Sequence, residues 1–313
     1  MRGAGIDAAA GAVTGLELAA PRPLRADEVL LDVRAAGVAN WDDLMRTGGW
    51  DPGLTPPFAL GVEAAGRVAA TGSEVTGFAA GDEVLAYVFP FRDGGAWAEQ
   101  VIVPAAQLVP RPPSVSWAQA AALPVPALTA QEALDDALGL RAGEKLLVNG
   151  GSGVTGGMVV QFAALAGAEV AATAGPRSAQ QVRALGAAHV IDYHDPDWPA
   201  RAREALGGPA AAAVNAVPGG AASALAVVTD GGRLASIAGA VPDDPDRDIQ
   251  VRSVIVQPDT AKLGRAAALL ADGHLRLSIA AEYPLAGAAD ALSRVLAGTG
   301  GAAVALRVGD AQR

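Results

Sequence analysis

The sequence contains no cysteine and only three histidines among its 313 residues. The lack of cysteine excludes disulfide bonds, zinc sites built on thiolates and cysteine nucleophiles. The histidines, His189, His194 and His274, show neither the HxxxH nor the HxH spacing of common metal sites. We therefore expect no bound metal.

Basic residues and long apolar runs are also scarce. The chain has 23 Lys and Arg against 33 Asp and Glu, a net charge of −10. Such a charge repels nucleic acid and anionic membranes in bulk. No apolar run approaches the length of a membrane span, and no basic-then-apolar leader begins the chain. We expect a cytoplasmic protein whose partner is a small molecule, with neither nucleic acid nor membrane as a partner.

The chain is longer than one ordinary globular core needs, so two domains are expected. Residues 26–110 carry short β-type runs, such as EVLLDVRAAGV and GDEVLAYVF, separated by Gly, Pro, Asn and Asp. This pattern is typical of a compact all-β domain. From about Trp117 onward, strand-like runs alternate with Ala-rich helical segments. That alternation indicates βαβ units and a parallel sheet, hence an α/β fold.

A glycine-rich stretch, LLVNGGSGVTGG, spans residues 146–157 between a strand-like run and an apolar helical run. A G-x-G-x-x-G pattern fits within it. In this setting the first glycine allows a tight turn, the second lets a pyrophosphate approach the backbone, and the third lets helix and strand pack closely. A ligand-free structural turn is the alternative. The predicted dinucleotide-binding residues are Gly151, Ser152, Gly153, Val154, Thr155 and Gly156.

The next strand, AEVAATAG, is expected to end beside the adenosine ribose. An acidic residue there would bind the 2′-hydroxyl of NAD, but the segment from Thr173 to Ser178 holds no acid and one cation, Arg177. Arginine matches phosphate geometry well. The segment therefore favours NADP(H), with Arg177 at the 2′-phosphate and Thr173 and Ser178 among the predicted cofactor-binding residues. The alternative is that Arg177 is a solvated residue at a helix N-terminus.

Several stretches now converge on one family. They include EVLLDVRAAGVANWDDLMRTGGW, PPFALGVEAAGRVAATGSEV, GGAWAEQVIVPA, AAALPVPALTAQEAL, LLVNGGSGVTGG and RALGAAHVIDY, in family order over nearly the whole chain. With these the chain resembles the medium-chain dehydrogenase/reductase superfamily, and within it the zinc-free quinone oxidoreductase (zeta-crystallin-like) branch.

The resemblance implies a GroES-like β-barrel domain built from residues 1–116 and 258–313, and a Rossmann domain with a doubly wound parallel sheet over residues 117–257. It also implies a homodimer. Zinc-bearing relatives carry cysteines and a His-Glu pair where this chain has Val62-Glu63 and no cysteine. The resemblance therefore implies chemistry without zinc.

Two loops of the β domain supply the candidate catalytic residues Asn40, Trp41 and Tyr87. The usual family form of the first loop is Asn-Pro-x-Asp, and here Ala39 takes the Asn position and Asn40 the Pro position. Asn40 is either a hydrogen-bond donor to nicotinamide or substrate, or a loop residue that satisfies its own turn. Asp42 and Glu63 are expected to be surface or structural carboxylates rather than an acid–base pair.

The second loop is rich in aromatic residues, although aromatics make up only 4% of the chain. We expect the group to line a pocket for a flat substrate, with core packing as the alternative. Tyr87 is also a candidate proton donor. The aromatic residues concerned are Tyr87, Phe89, Phe91 and Trp97.

The resemblance implies further cofactor contacts. Thr129 matches a residue near the nicotinamide-side phosphate, and Tyr193 one that flanks the 2′-phosphate. Asn215, Val217 and Ala238 match strand ends beneath the nicotinamide ring. Two departures stand out, because Asn215 replaces the usual Asp and Ala302 replaces the usual Lys.

Together these features predict an NADPH-dependent enzyme that transfers hydride to a quinone or an α,β-unsaturated carbonyl. Conjugation in such substrates carries charge to an oxygen that hydrogen bonds or water stabilise, so no metal is needed. Two alternatives remain open. One is a biosynthetic tailoring enzyme, including one that cyclises without net redox, and the other is an NADPH-binding regulatory protein without catalysis.

Overall fold

The computed structural model describes residues 1–242 and 245–309. Its strands are β1 (Arg2–Ile6), β2 (Thr14–Glu17), β3 (Glu28–Val38), β4 (Phe58–Ala59), β5 (Glu63–Thr71), β6 (Glu83–Tyr87), β7 (Gln100–Pro104), β8 (Leu108–Pro110), β9 (Lys145–Asn149), β10 (Glu169–Thr173), β11 (His189–Ile191), β12 (Ala210–Asn215), β13 (Val228–Ser236), β14 (Gln250–Ser253), β15 (Ile279–Pro284) and β16 (Ala303–Arg307).

The α-helices are α1 (Asn40–Thr47), α2 (Trp117–Ala122), α3 (Pro124–Gln131), α4 (Val154–Leu165), α5 (Ala179–Ala184), α6 (Trp198–Ala205), α7 (Ala221–Leu225), α8 (Thr260–Ala271) and α9 (Ala288–Leu296). A π-helical turn, Glu132–Ala137, follows α3 directly. Among the described residues, no helix has the length and apolar character that crossing a membrane requires.

The chain divides into two compact units. The first is built from Met1–Val125 and from the chain that begins at Pro258, and the second is Pro126–Gln257. The first boundary lies beyond the expected residue 117, because α2 packs on β3 and β5 of the first unit. Residues 310–313 of the expected first domain lie outside the described residues.

The first unit is mostly antiparallel. One sheet has the order β2-β1-β4, and a larger one has the order β15-β16-β3-β5-β6-β8, with β7 also paired to β3. The long strand β3 alternates buried and exposed side chains in its first half, as expected for a strand with one face in the core. Leu31, Leu85 and Trp97 are fully buried.

The second unit holds a parallel sheet of order β11-β10-β9-β12-β13-β14. Counted along the unit, this is strand order 3-2-1-4-5-6, that of doubly wound dinucleotide-binding folds. The order reverses between β9 and β12, which are neighbours. Ligands in such sheets bind outside the carboxyl ends of the strands at this reversal, so the candidate site of this unit lies at the ends of β9, β10, β12 and β13.

Candidate functional site

The glycine-rich turn follows β9 and begins α4. Gly150 has φ of +94°, so this residue, rather than Gly151, takes the left-handed conformation of the turn. A Cβ on Gly156 would lie 2.1 Å from the Gly150 carbonyl oxygen, and one on Gly151 would lie 2.8 Å from Ala172 Cβ. Gly151 and Gly156 are therefore required by packing within the protein.

Gly153 is different. It is exposed, precedes the first turn of α4 and has an ordinary φ of −78°. The nearest atom to a Cβ placed there, the Gly150 carbonyl oxygen, would be 3.6 Å away. Neither backbone strain nor crowding by protein atoms requires glycine at this position.

The remaining motif residues, Ser152, Val154 and Thr155, are partly exposed at the same turn. The first N–H groups of an α-helix have no partner within the helix and carry partial positive charge. The turn thus presents the backbone donors of a helix N-terminus.

The segment after β10 carries the predicted ribose site. Arg177 is exposed, and the described part of the chain offers it no hydrogen bond or ion pair. Ser178 is partly exposed and its side chain makes no cap hydrogen bond at the start of α5. The Tyr193 side chain is 50% exposed, and a Cβ on Gly175 would lie 3.5 Å from its hydroxyl. Tyr193 therefore lies beside the segment that carries Arg177.

Thr173 does not face this site with its side chain. It is 1% exposed, and its hydroxyl accepts a hydrogen bond from the Gly150 N–H and donates one to Asn149 Oδ1, both at 2.8 Å. The only hydroxyl proton of Thr173 is thus committed inside the protein, where the side chain supports the glycine-rich turn. Its predicted place in the cofactor site stays a prediction.

Other predicted cofactor residues lie on loops and on α3. Val217 follows β12 and is 36% exposed, and Ala238 follows β13 and is partly exposed. Thr129 is 7% exposed in α3. Asn215 is fully buried at the end of β12, so its side chain acts on neighbouring protein groups rather than on a ligand. Asn149, which the sequence reasoning did not single out, ends the adjacent strand β9 and is also buried.

In the first unit, the first candidate loop is a helix. Asn40 is the exposed first residue of α1, and Trp41 is partly buried with an indole N–H that has no partner. Asp42 accepts a hydrogen bond from the Ala39 N–H at 2.8 Å and so caps the helix. Asn40 therefore begins a helix and does not lie in an irregular loop.

The aromatic rings that meet in the first unit are not the same set that the sequence predicts. Trp97 is fully buried and its indole N–H donates to the Gly37 carbonyl at 2.8 Å, so it is a core residue. Its expected place beside Phe89 is taken by Trp50, whose ring centroid lies 4.9 Å away. Sequence reasoning missed Trp50 because it lies far from this loop along the chain.

We call the resulting set the aromatic cluster. Phe89 lies at its centre, with the ring centroid of Phe91 at 5.8 Å and that of Tyr87 at 6.1 Å. Phe89 and Phe91 are partly exposed, whereas Tyr87 is 2% exposed. The cluster consists of Trp50, Tyr87, Phe89 and Phe91.

Two carboxyl groups are buried in the same unit. Asp42 is 1% and Glu63 2% exposed, which overturns the surface interpretation of both and leaves the structural one. Burial raises the pKa of Asp42 to about 8, against the lowering effect of the Ala39 N–H. Burial also raises the pKa of Glu63, which accepts from the Val125 N–H at 2.8 Å, and the nearby Asp42 carboxyl acts in the same direction. Among the described residues, no group of three or more His, Cys, Asp and Glu forms a candidate metal site.

Two family models match separate parts of this chain. The alcohol dehydrogenase GroES-like domain matches residues 25–113, and the zinc-binding dehydrogenase domain matches residues 185–300. The α/β fold with a GroES-like domain and a Rossmann domain is thereby confirmed.

Two curated relatives show the range of similar proteins. The chloroplastic quinone-oxidoreductase homolog of Spinacia oleracea is 39% identical over 193 residues, covering 59% of this chain and 58% of the relative. Erythronolide synthase EryA2 of Saccharopolyspora erythraea is 41% identical over 189 residues, covering 60% of this chain and 5% of the relative. The matched region thus spans less than two thirds of either relative's length.

Solved structures match over nearly the whole chain. An NAD-dependent alcohol dehydrogenase is 28% identical with a TM-score of 0.89, over 99% of this chain and 100% of that one. A mycobacterial protein complexed with NADPH is 26% identical with a TM-score of 0.84, over 98% of this chain and 100% of that one. As its sequence motifs predicted, the chain belongs to the medium-chain dehydrogenase/reductase superfamily, in the quinone oxidoreductase branch.

Proposed function

We propose that this protein is a zinc-independent, NADP(H)-dependent oxidoreductase that transfers hydride to a quinone or an α,β-unsaturated carbonyl. Gly153 carries the proposal. Its φ is ordinary, and a Cβ there would make only an ordinary contact, 3.6 Å from the Gly150 carbonyl oxygen, so the described residues give no packing reason for glycine. A pyrophosphate that approaches the backbone at the start of α4 would explain why glycine occupies position 153.

The preference for NADP(H) rests on Arg177. Its guanidinium is exposed and has no hydrogen bond or ion pair within the described part of the chain, and the segment from Thr173 to Ser178 has no carboxylate for a ribose 2′-hydroxyl. Similar structures include both an NAD-dependent enzyme and an NADPH complex, so family membership alone leaves the choice open. An unpaired guanidinium favours the extra phosphate of NADP(H).

The aromatic cluster is the proposed substrate surface. Phe89 and Phe91 are partly exposed, and their rings meet at 86°, so their faces offer a flat molecule two differently oriented contacts. When bound, a reduced nicotinamide supplies hydride to an electron-poor carbon. The protein's own residues then orient the substrate and exclude water. Tyr87 is buried, and Asn40 and Trp41 at the start of α1 complete the proposed catalytic set.

Zinc independence follows from the side chains present. The chain has Val62 where zinc-bearing relatives place histidine, and it has no cysteine; a valine side chain does not ligate a metal. We also propose a cytoplasmic homodimer, for which analytical ultracentrifugation is the direct test. The first unit is the proposed catalytic domain and the second the dinucleotide-binding domain.

One observation favours a second candidate. A relative with 41% identity is named as a synthase, so a biosynthetic tailoring role with a related acceptor is a specific alternative. Oxidation of NADPH and of NADH under a panel of quinones and enones tests the main proposal. Consumption of NADPH together with acceptor reduction supports it. Conversion of an acceptor without cofactor consumption supports a non-redox tailoring enzyme, and tight binding without turnover supports a regulatory protein.

A further inference from the structure

Four neighbouring strands of the second unit each end in a buried, uncharged polar side chain. None of the four is more than 4% exposed. In sheet order they are Thr173 on β10, Asn149 on β9, Asn215 on β12 and Ser236 on β13.

Hydrogen bonds join these side chains into one line. The Thr173 hydroxyl donates to Asn149 Oδ1 at 2.8 Å, and Asn149 Nδ2 donates to Asn215 Oδ1 at 3.0 Å. Asn215 Nδ2 in turn donates to Ser236 Oγ at 3.2 Å. We call this line the polar strap. It crosses four strands without a charged group.

The polar strap crosses the point where the strand order reverses. Asn149 and Asn215 are direct partners in the register of β9 and β12, the two strands at the reversal. Ligands bind at this point in doubly wound sheets. The strap therefore lies beneath the place where the proposed cofactor would bind.

The strap holds two turns at this edge of the sheet. The Gly150 N–H donates to the Thr173 hydroxyl at 2.8 Å, which fixes the start of the glycine-rich turn. Asn149 Nδ2 also donates to the Gly220 carbonyl at 3.3 Å, in the turn that follows β12.

Asn215 holds two further backbone groups. Its Nδ2 lies 3.0 Å from the Val217 carbonyl oxygen and 3.1 Å from that of Ala238. Carbonyl oxygens only accept hydrogen bonds, so the side-chain atom between them must be a donor. An ionised aspartate at this position would place an acceptor against two acceptors in a buried site. The uncharged amide therefore fits this site, and an ionised carboxylate would not.

We propose that Asn215 is a positioning residue, whose uncharged amide fixes the Val217 and Ala238 loops and, through Asn149 and Thr173, the glycine-rich turn in the conformation that binds the nicotinamide dinucleotide. This inference rests on the proposed function. It assigns Asn215 no contact with the cofactor.

The test is Asn215→Asp, which keeps the shape of the side chain and removes its N–H donors. Calorimetric titration with NADP⁺ at pH 8 is expected to show at least about tenfold weaker binding than for the wild type, from the loss of two buried hydrogen bonds. A buried carboxyl has a raised pKa, so acidification restores one donor. The ratio of mutant to wild-type dissociation constants is therefore expected to shrink from pH 8 to pH 6, with thermal unfolding recorded at each pH.

Ser236→Ala is the graded comparison. Asn215 has two N–H hydrogens and three acceptors, so removing the serine hydroxyl leaves an acceptor for each hydrogen. We expect this variant to weaken NADP⁺ binding less than Asn215→Asp does, and with no pH-dependent ratio to wild type. A loss in both variants that tracks only their melting temperatures would mean that the strap is merely structural.

Gly220→Ala disturbs the polar strap without changing any of its four side chains. It is the variant to measure if Asn215→Asp does not fold. A Cβ there would lie 2.5 Å from Asn149 Nδ2 and 2.9 Å from Asn215 Oδ1, so it displaces the strap. Weaker NADP⁺ binding by folded Gly220→Ala supports the inference, and unchanged binding by either folded variant overturns it. If the wild type binds no nicotinamide dinucleotide, the proposed function fails first and the inference falls with it.

Discussion

Gly156 packs so closely on Gly150 that a Cβ added to Gly156 would lie 2.1 Å from the Gly150 carbonyl oxygen. Three residues earlier, a Cβ on Gly153 would have no atom nearer than 3.6 Å. The two glycines of one motif are therefore required by different partners. Gly156 is required by the protein itself, and Gly153 by the proposed ligand.

Gly153→Val is expected to fold with a melting temperature near that of the wild type and to lose NADPH affinity by orders of magnitude. A Cβ at this exposed position would have no clash, since its nearest contact would be 3.6 Å, and a branched side chain there occupies the path of the proposed pyrophosphate. Thermal unfolding and NADPH titration on one preparation measure both properties. A stable variant with normal affinity would remove the dinucleotide interpretation of the turn.

Gly156→Ala is the matched change within the same motif. The clash is with backbone, which side-chain motion does not relieve, so the expected result is a large loss of stability. Differential scanning calorimetry of the two variants checks the contrast. Equal stability of both would contradict the division of roles between Gly153 and Gly156.

Arg177→Gln is expected to weaken NADPH binding about tenfold to a hundredfold and to leave NADH binding unchanged. The physical reason is the loss of about 1.5–3 kcal/mol of charged hydrogen bonding to the 2′-phosphate. Arg183→Gln removes an equally exposed positive charge from α5 and serves as the control. Equal affinity of the wild type for NADPH and NADH would sink the 2′-phosphate assignment.

Asp42→Asn is expected to become more stable relative to the wild type as the pH rises from 5 to 8. Because folding raises the pKa of Asp42 to about 8, the folded state keeps a proton that the unfolded state has released. The wild type therefore loses stability as the pH rises through this window, by at most about 1.4 kcal/mol per pH unit from this group. The asparagine does not titrate.

Urea denaturation at pH 5 and pH 8 measures this difference. Asp43→Asn, at the next and partly exposed position, is the control and should follow the wild-type pH dependence. Wild-type and Asp42→Asn stabilities that stay parallel over this range would show that Asp42 does not hold a proton in the folded protein.

Phe89→Leu is expected to raise KM for a flat quinone about threefold to tenfold, with little change in melting temperature. Phe89 is partly exposed at the centre of the aromatic cluster, and an aromatic contact contributes about 0.5–1.5 kcal/mol. Trp97→Phe is the counterpart, expected to cost about 1–3 kcal/mol of stability through loss of the hydrogen bond to Gly37. Steady-state kinetics and calorimetry of both variants test whether the aromatic cluster contacts the substrate. A KM for Phe89→Leu equal to that of the wild type would contradict this role.

Exhaustive chelation is expected to leave turnover unchanged. The chain has no cysteine, and the described residues contain no cluster of potential ligands. Activity that a chelator abolishes and that zinc restores would contradict zinc independence.

The candidate site was only partly readable from the sequence. Spacing identified the glycine-rich turn and Arg177, because those features depend on residues close together in the chain. The partners of Thr173, the membership of Trp50 in the aromatic cluster and the burial of Asp42 depend on residues that only folding brings together. Asn215, which stands where Asp is usual, has three acceptors within hydrogen-bond distance of its Nδ2, and two of them, on Ser236 and Ala238, come from another segment of the chain. For Ala302, directly before β16, the structure offers no comparable explanation.

The sequence by itself determined the alternation of strands and helices, the glycine-rich turn and the absence of thiolate ligands, because hydrophobic period, turn chemistry and residue counts are local properties. It also determined that the segment from Thr173 to Ser178 contains one cation, Arg177, and no acidic residue. Only the tertiary structure decided which glycine is exposed and which packs against backbone, and which aromatic rings meet. It also decided that four uncharged side chains join across a strand reversal. These depend on distances between segments far apart in the chain, which no local pattern encodes.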